Sequence, residues 1–133
     1  MNIKSINRQI YCCGCSEKVE AILIKGDKVY PHRTDLYGLS FWECPTCLNF
    51  VGCHKHDKNH QQLGCIPTPE IKKLRQQIHK KLDPLWQSGN IKRSYLYKRL
   101  TDSLGFKYHT ASLRSIDECK RTLIALYNIK KEL

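Results

Sequence analysis

The sequence lacks any long hydrophobic stretch. No run of about 18 apolar residues, the length that a membrane-spanning helix needs, occurs in its 133 residues. The first residues, Met1 to Ser5, also lack the extended apolar stretch of a secretory signal. We therefore expect no association with a membrane. We expect a location in the cytoplasm, where cysteines stay reduced.

Acidic residues are scarce, with 12 Asp and Glu against 23 Lys and Arg, and the formal net charge is +11. Residues 1–66 carry a net charge of only +2, whereas residues 67–133 carry +9. A well-solvated helical surface would explain such an excess. Because the excess lies in one half of the chain, we favour attraction to a polyanion, most often a nucleic acid.

Cysteine, in contrast, is abundant, with eight in the chain. Cys12 and Cys15 form one CxxC pair, Cys44 and Cys47 form another, and residues 16–43 separate them. Two such turns supply the four thiolates that a tetrahedral zinc ion takes, and four thiolates leave no position for a reactive water. Cys13 offers another register for the first pair, but only Cys12 with Cys15 has the two-residue gap. The spacing predicts one structural zinc ion, with a left-handed turn at Gly14.

A second group of metal-binding side chains follows the second pair. Its candidate ligands are Cys53, His54, His56, His60 and Cys65. Their spacing matches no closed zinc site. The favoured interpretation is therefore a polar loop over residues 52–66, with the histidines used for hydrogen bonds, and a second metal site is the alternative.

The first half of the chain has the pattern of short strands. Runs at 19–24, 28–30 and 39–43 are rich in β-forming residues and are separated by turn signals. Strands with cysteine pairs at their ends are typical of a zinc ribbon.

The second half has the pattern of three helices. The first begins at Pro69, with Thr68 as its N-cap. It ends at Asp83-Pro84, because the residue before a proline avoids the α region. The second spans 91–104 and ends at Gly105. The third begins at the capping-box pair Ser115 and Glu118. In the first helix, the apolar residues Ile71, Leu74, Ile78 and Leu82 fall on one face. The predicted inward residues of the other two are Ile91, Tyr95, Leu100, Leu104, Ile116, Cys119, Leu123, Leu126 and Tyr127.

Basic side chains cover the first two predicted helices and are candidates for contacts with phosphate. They are Lys72, Lys73, Arg75, Lys80, Lys81, Lys92, Arg93, Lys98 and Arg99. Taken singly, each fits a solvated side chain, but together they could neutralise several phosphates and make binding sensitive to salt. Tyr37, Phe41 or Trp42 could add stacking on bases.

His79 and Asp83 lie four residues apart and can share one helix face. A carboxylate that orients a histidine is used in general base catalysis, but it also fixes helix ends. No nucleophile motif lies nearby, so we favour the structural role, with Trp86 packed beside them.

The order of the motifs from Phe41 to Cys119 is distinctive. It runs CPTC at 44–47, FVGCHK at 50–55, LG at 63–64, His79, KLDPLW at 81–86, Tyr97, Leu100, Leu104-Gly105, His109, Asp117 and Cys119. This order resembles a zinc-finger-containing domain of unknown function that occurs in bacteriophages and bacterial genomes. The chain departs from that pattern at His56 and at the extra Cys13.

The resemblance implies zinc binding and an origin in a phage or mobile element, but no established activity. For a phage protein, the expected location is the host cytoplasm. It also implies that His54, His79, Asp83 and His109 could form one polar cluster. If the protein is an enzyme, a metal-dependent, nuclease-like hydrolase, these are its candidate catalytic residues.

These observations together predict an α+β protein. A small zinc ribbon at 1–66 docks on a basic three-helix bundle at 67–133, and the two form one compact domain. The predicted function is a non-enzymatic, zinc-stabilised, nucleic-acid-binding accessory or regulatory protein. The first alternative is a protein-binding adapter or an inhibitor of a host machine, whose partner would present an acidic protein surface. The second alternative is the hydrolase.

Overall fold

A computed structural model describes residues 6–133, and its internal contacts divide the chain at Thr68 and Pro69. The part that ends at Thr68, which we call the strand unit, contains all four strands of the described chain. The part from Pro69 to Leu133, which we call the helical unit, contains three long helices. The α+β class is therefore confirmed, while the formation of one compact domain stays a prediction.

The strand unit is a four-stranded antiparallel sheet in the order of the sequence. Its strands are β1 (Asn7–Cys12), β2 (Glu17–Lys25), β3 (Ser40–Glu43) and β4 (Phe50–Gly52). Strands β2 and β3 lie where the sequence pattern predicts them. Strand β1 was not predicted, and it pairs along its whole length with β2, from Asn7 opposite Ile22 to Cys12 opposite Glu17.

The prediction of a strand at 28–30 was wrong. Residues Gly26–Val29 form a short helix, α1, and the amide of Tyr30 donates to the carbonyl of Gly26 at 2.7 Å. A Cβ atom at position 26 would lie 1.7 Å from the carbonyl oxygen of Leu36, so only glycine fits there. The close approach of these two backbone segments turns the chain at the end of β2.

The helical unit contains α2 (Pro69–Gln87), α3 (Arg93–Leu104) and α4 (Ile116–Lys131). Gly105 ends α3 in the left-handed conformation, with a φ of 81°. The hydroxyl of Ser115 accepts from the amide of Glu118 at 3.1 Å, which confirms the predicted cap of α4. The start at Pro69 is also as predicted.

The predicted end of α2 at Asp83-Pro84 was wrong, because the helix continues to Gln87. Proline lacks an amide hydrogen, so the carbonyl of Lys80 loses its helical partner. Both Lys80 and Pro84 are exposed, and water can replace the missing donor. Proline is therefore tolerated in the last turns of this helix.

The core of the helical unit is built from residues spaced by three or four along each helix. Leu96, Leu100 and Leu104 are spaced by four residues and are buried. In α4 the buried residues are Cys119, Thr122, Leu126 and Ile129. The prediction that Tyr95, Ile116 and Tyr127 face inward was wrong, because these side chains are 47%, 37% and 60% exposed. Each lies on its helix outside the line of buried positions.

In the part of the chain that the structure describes, none of the helices combines the length and the apolar character that crossing a membrane requires.

Candidate functional site

The two CxxC pairs occupy turns of the strand unit. Cys12 is the last residue of β1, and Cys44 directly follows β3. In each turn the residue after the second cysteine has a positive φ, 57° at Ser16 and 64° at Leu48. The left-handed positions of the turns are therefore these two residues, and the prediction of a left-handed Gly14 was wrong.

The four cysteine sulfurs lie close together. The Sγ atoms of Cys12 and Cys47 are 3.4 Å apart, those of Cys15 and Cys44 are 3.7 Å apart, and all four lie within 4.8 Å of one another. A tetrahedral zinc ion with Zn–S bonds of about 2.3 Å separates its sulfur ligands by about 3.8 Å. The cluster therefore fits one zinc ion, and the predicted structural zinc site is confirmed.

The backbone around the cluster stabilises thiolates. The amides of Cys15 and Gly14 hydrogen-bond to the sulfur of Cys12, and those of Cys47 and Thr46 to the sulfur of Cys44. In the absence of metal, burial is the largest influence and raises the pKa of Cys12 to about 12. Burial acts on Cys44 in the same direction, but its hydrogen bonds outweigh it and lower the pKa to about 7. Cys44 is therefore the first of these two thiols to ionise, and zinc displaces the remaining protons when it binds.

The cluster is part of the hydrophobic core of the strand unit. Cys12 and Cys44 are fully buried with Ile10, Trp42 and Ile66. The side-chain amide of Asn49 donates to the sulfur of Cys47 at 3.3 Å and orients this half-buried ligand. Metal binding and core formation therefore involve the same side chains.

Cys13 and Cys65 form a second buried sulfur pair outside the zinc cluster. Their Sγ atoms are 3.7 Å apart. The segment that carries Cys65 pairs with the edge of β1, where the amide of Cys13 donates to the carbonyl of Ile66 at 2.8 Å. The structure therefore assigns Cys13 to this pair and leaves Cys12 with Cys15 as the zinc-binding pair.

The structure does not assemble the second metal site. Among residues 6–133, the four zinc cysteines are the one group of three or more candidate ligands that come together. The loop at 53–63 is instead held by other groups: Arg8 donates to the carbonyl of His60 at 3.0 Å, and Trp42 Nε1 donates to the same carbonyl at 2.7 Å. The carboxylate of Asp57 accepts from the amides of Asn59 and Gln61. A polar loop is thus present. The loop groups in these hydrogen bonds are its backbone amides and carbonyls and the carboxylate of Asp57, and no histidine side chain takes part in them.

Three aromatic residues were candidates for stacking on bases. Trp42 is fully buried, so its proposed stacking role was wrong, and Phe41 is only 8% exposed. Tyr37 is 38% exposed, and its hydroxyl donates to the carbonyl of Pro31 at 2.6 Å.

The four candidate catalytic residues belong to different units. His54 lies exposed in the loop of the strand unit, whereas His79, Asp83 and His109 lie in the helical unit. His79 Nδ1 and Asp83 Oδ2 are 3.3 Å apart, and Trp86 Nε1 donates to the other oxygen of Asp83 at 3.2 Å. These contacts stay within the last turns of α2, which supports the structural role for His79 and Asp83.

The predicted phosphate contacts are mostly on the surface. Six of the nine are exposed, and Lys72 and Arg99 are half-buried. Arg75 is only 8% exposed and donates to the carbonyl of Leu113 at 2.5 Å. We therefore remove Arg75 from the predicted contacts, because it links α2 to the segment before α4.

Arginine and tyrosine side chains contact each other along α3. The guanidinium of Arg93 lies 4.3 Å from the ring centre of Tyr97 and 5.8 Å from that of Trp86. Arg99 lies 5.8 Å from the ring centre of Tyr95 and is ion-paired with Glu132. The sequence analysis missed the Arg93–Tyr97 and Tyr95–Arg99 pairs, although their four-residue spacing is a signal for contact on a helix.

The antiparallel strands and the four-sulfur cluster define a zinc-finger protein. The chain belongs to the zinc-finger-containing domain family DUF3268, whose model matches residues 8–129 and so spans both units. No curated protein and no solved structure matches the chain.

Proposed function

We propose that this protein binds nucleic acid as an accessory or regulatory protein and that zinc stabilises its strand unit. The observation that carries the proposal is the exposed positive charge of the helical unit, which holds 15 basic and 6 acidic residues. Double-stranded and single-stranded nucleic acids both present closely spaced phosphates to such a surface. An origin in a phage or mobile element belongs to the same proposal.

The charge on α2 is available to a partner. Lys73 and Lys80 lie two helical turns apart and two residues after buried Ile71 and Ile78, which places them on the outer face of the helix. Among the described residues, no ion pair engages Lys73, Lys80, Lys81, Lys92 or Lys98. These five side chains can therefore contact phosphates without first breaking an internal pair.

The start of α3 adds a stacking element. Arg93 is exposed and lies against Tyr97 and half-buried Trp86. Arginine held on aromatic rings suits both a phosphate and the face of an unpaired base. This cluster therefore favours binding to nucleic acid over the alternative that the basic residues only solvate the helices.

The test is binding of fluorescent single-stranded and double-stranded DNA and RNA, measured by anisotropy over a range of salt concentrations. We expect affinity to fall steeply as salt rises, because each phosphate contact releases a counterion. The double variant Lys73→Glu with Lys80→Glu should lose about tenfold or more in affinity at low salt. The control is Lys18→Glu with Lys58→Glu, which makes the same change in net charge on exposed residues of the strand unit.

Equal losses in the two double variants would contradict the proposed surface. Absence of salt-sensitive binding to all four nucleic acids would contradict the proposed function. A pulled-down complex that survives nuclease digestion would then indicate an acidic protein partner.

A further inference from the structure

A cleft of about 820 Å³ opens on the strand unit. Residues around the start of β3 form one side, and the loop from Gly52 to Leu63 forms the other. Its volume lies within the range of ligand pockets, which is about 300–1,000 Å³. None of the four zinc cysteines lines it, so the cleft is distinct from the zinc site.

One wall of the cleft is apolar. Leu39, Phe41 and Leu63 line it, and Leu39 and Leu63 are 37% and 41% exposed. Gly52 lies among them, and a Cβ atom there would lie 3.4 Å from Leu63 Cδ1 and 3.8 Å from the ring of Phe41. A side chain at this position would therefore pack against the apolar wall.

The rest of the lining is mostly polar and includes two lysines. Lys25 and Lys55 contribute amino groups, and His54, His56 and His60 contribute imidazoles. Asp57 is the one acidic residue in this lining, and its carboxylate already accepts from the amides of Asn59 at 2.9 Å and Gln61 at 3.2 Å. The two lysines outnumber this one carboxylate, so the charge of the lining favours an anion.

The loop that carries these groups is held in place before any ligand arrives. Arg8 donates to the carbonyls of Asn59 and His60 at 2.7 and 3.0 Å. The amide of His54 donates to the carbonyl of Gln61 at 2.9 Å, and Trp42 donates to the carbonyl of His60. A site fixed in advance loses less entropy when it binds.

We propose that this cleft binds a nucleotide, with its base against the apolar wall and its phosphate near Lys25 and Lys55. The choice of a nucleotide as the ligand rests on the proposed function. The same chemistry fits a free nucleotide and a nucleotide of a bound strand, and the experiment separates these two sources.

The test is isothermal titration calorimetry on the zinc-loaded full chain. AMP, adenosine and inorganic phosphate are titrated separately. We expect AMP to bind more tightly than either part. Lys55→Glu should weaken AMP binding by about tenfold or more, because a cation near the phosphate becomes an anion. Lys58→Glu is the matched control, since Lys58 is exposed in the same loop but does not line the cleft.

Unchanged zinc content in both variants shows that they are folded, and a smaller loss in Lys58→Glu supports the site. Equal losses in the two variants, or no binding of AMP to the unmodified protein at millimolar concentration, would overturn it.

Oligonucleotide binding separates this inference from the proposed function. If oligonucleotides bind and AMP does not, the cleft inference is wrong and the proposed function stands. If AMP binds through Lys55 and no oligonucleotide binds, the proposed function is wrong and the ligand is a free nucleotide. An oligonucleotide that competes with AMP identifies a nucleotide of the strand as the occupant, and one that binds without competing identifies a free nucleotide.

Discussion

Two glycines of the strand unit lie where neighbouring atoms come close to the backbone. A Cβ atom at Gly26 would lie 1.7 Å from the carbonyl oxygen of Leu36. One at Gly14 would lie 3.0 Å from Asn49 Nδ2 and 3.4 Å from the sulfur of Cys47. Gly26 lets the backbone of Leu36 pack against the turn after β2. Gly14 lets the side chains of Asn49 and Cys47 pack against the first cysteine turn.

Gly26→Ala should therefore destabilise the strand unit. The clash is with backbone, which cannot rotate away, and overpacking of this kind costs about 1–3 kcal/mol. Gly38→Ala is the matched control, because a Cβ atom there meets nothing within 4 Å. Urea denaturation of the zinc-loaded proteins measures both, and equal midpoints would contradict the role of Gly26.

Cysteine variants test the assignment of zinc ligands. Cys44→Ser should lose zinc, because three sulfurs remain and the replaced one carries two amide hydrogen bonds. Cys13→Ser should keep one zinc ion per chain, since Cys13 belongs to the pair with Cys65. Cys119→Ser should also keep it, because Cys119 is a core residue of the helical unit. Elemental analysis of the reduced proteins gives the metal content, and equal zinc in Cys44→Ser and Cys13→Ser would contradict the assignment.

Two of the helix ends follow local capping rules. Ser115 and Gly105 cap α4 and α3 as their residue types predict. Glu118 completes the cap by accepting from the amide of Arg114 at 2.7 Å, one residue before the usual capping-box partner. Pro84 breaks such a rule, since α2 continues through it.

Ser115→Ala should lower the stability of the helical unit by about 1 kcal/mol, because the amide of Glu118 loses its acceptor. Ser103→Ala is the control, since Ser103 is exposed in the last turn of α3. Thermal unfolding followed at 222 nm compares the two variants. A midpoint for Ser115→Ala equal to that of Ser103→Ala would show that the cap contributes nothing measurable.

At the scale of the whole molecule, zinc and the core of the strand unit depend on each other. The zinc cysteines pack with Ile10, Trp42 and Ile66. Structural zinc binding supplies about 10–16 kcal/mol. A whole domain is typically stable by about 5–15 kcal/mol. Loss of zinc would therefore remove a free energy about as large as the whole stability of a typical domain.

Removal of zinc by a chelator should therefore unfold the strand unit and leave the helical unit folded. In a Trp86→Phe background, fluorescence reports on Trp42 alone, which is fully buried with the zinc cysteines. Its emission should shift to the red as zinc leaves, while the helical signal at 222 nm persists. Acid should act in the same direction, because falling pH protonates the thiolates that hold zinc. Unchanged Trp42 emission in zinc-free protein would contradict this dependence.

The sequence alone determined the features that depend on a few neighbouring residues. The spacing of Cys12 with Cys15 and of Cys44 with Cys47 specified the zinc ligands. Ser115, Gly105 and the start at Pro69 specified helix boundaries. These signals are readable because the chemistry of a turn or a cap is complete within about four residues.

Only the tertiary structure decided which side chains are buried and which groups meet across long separations. Tyr95 faces outward while Leu96 is buried, and Arg75 links α2 to Leu113 instead of facing solvent. The loop at 53–63, which forms one side of the cleft, is held by Arg8 of β1 and Trp42 of β3. Burial and long-range hydrogen bonds depend on partners far along the chain, so no local pattern of residues contains them.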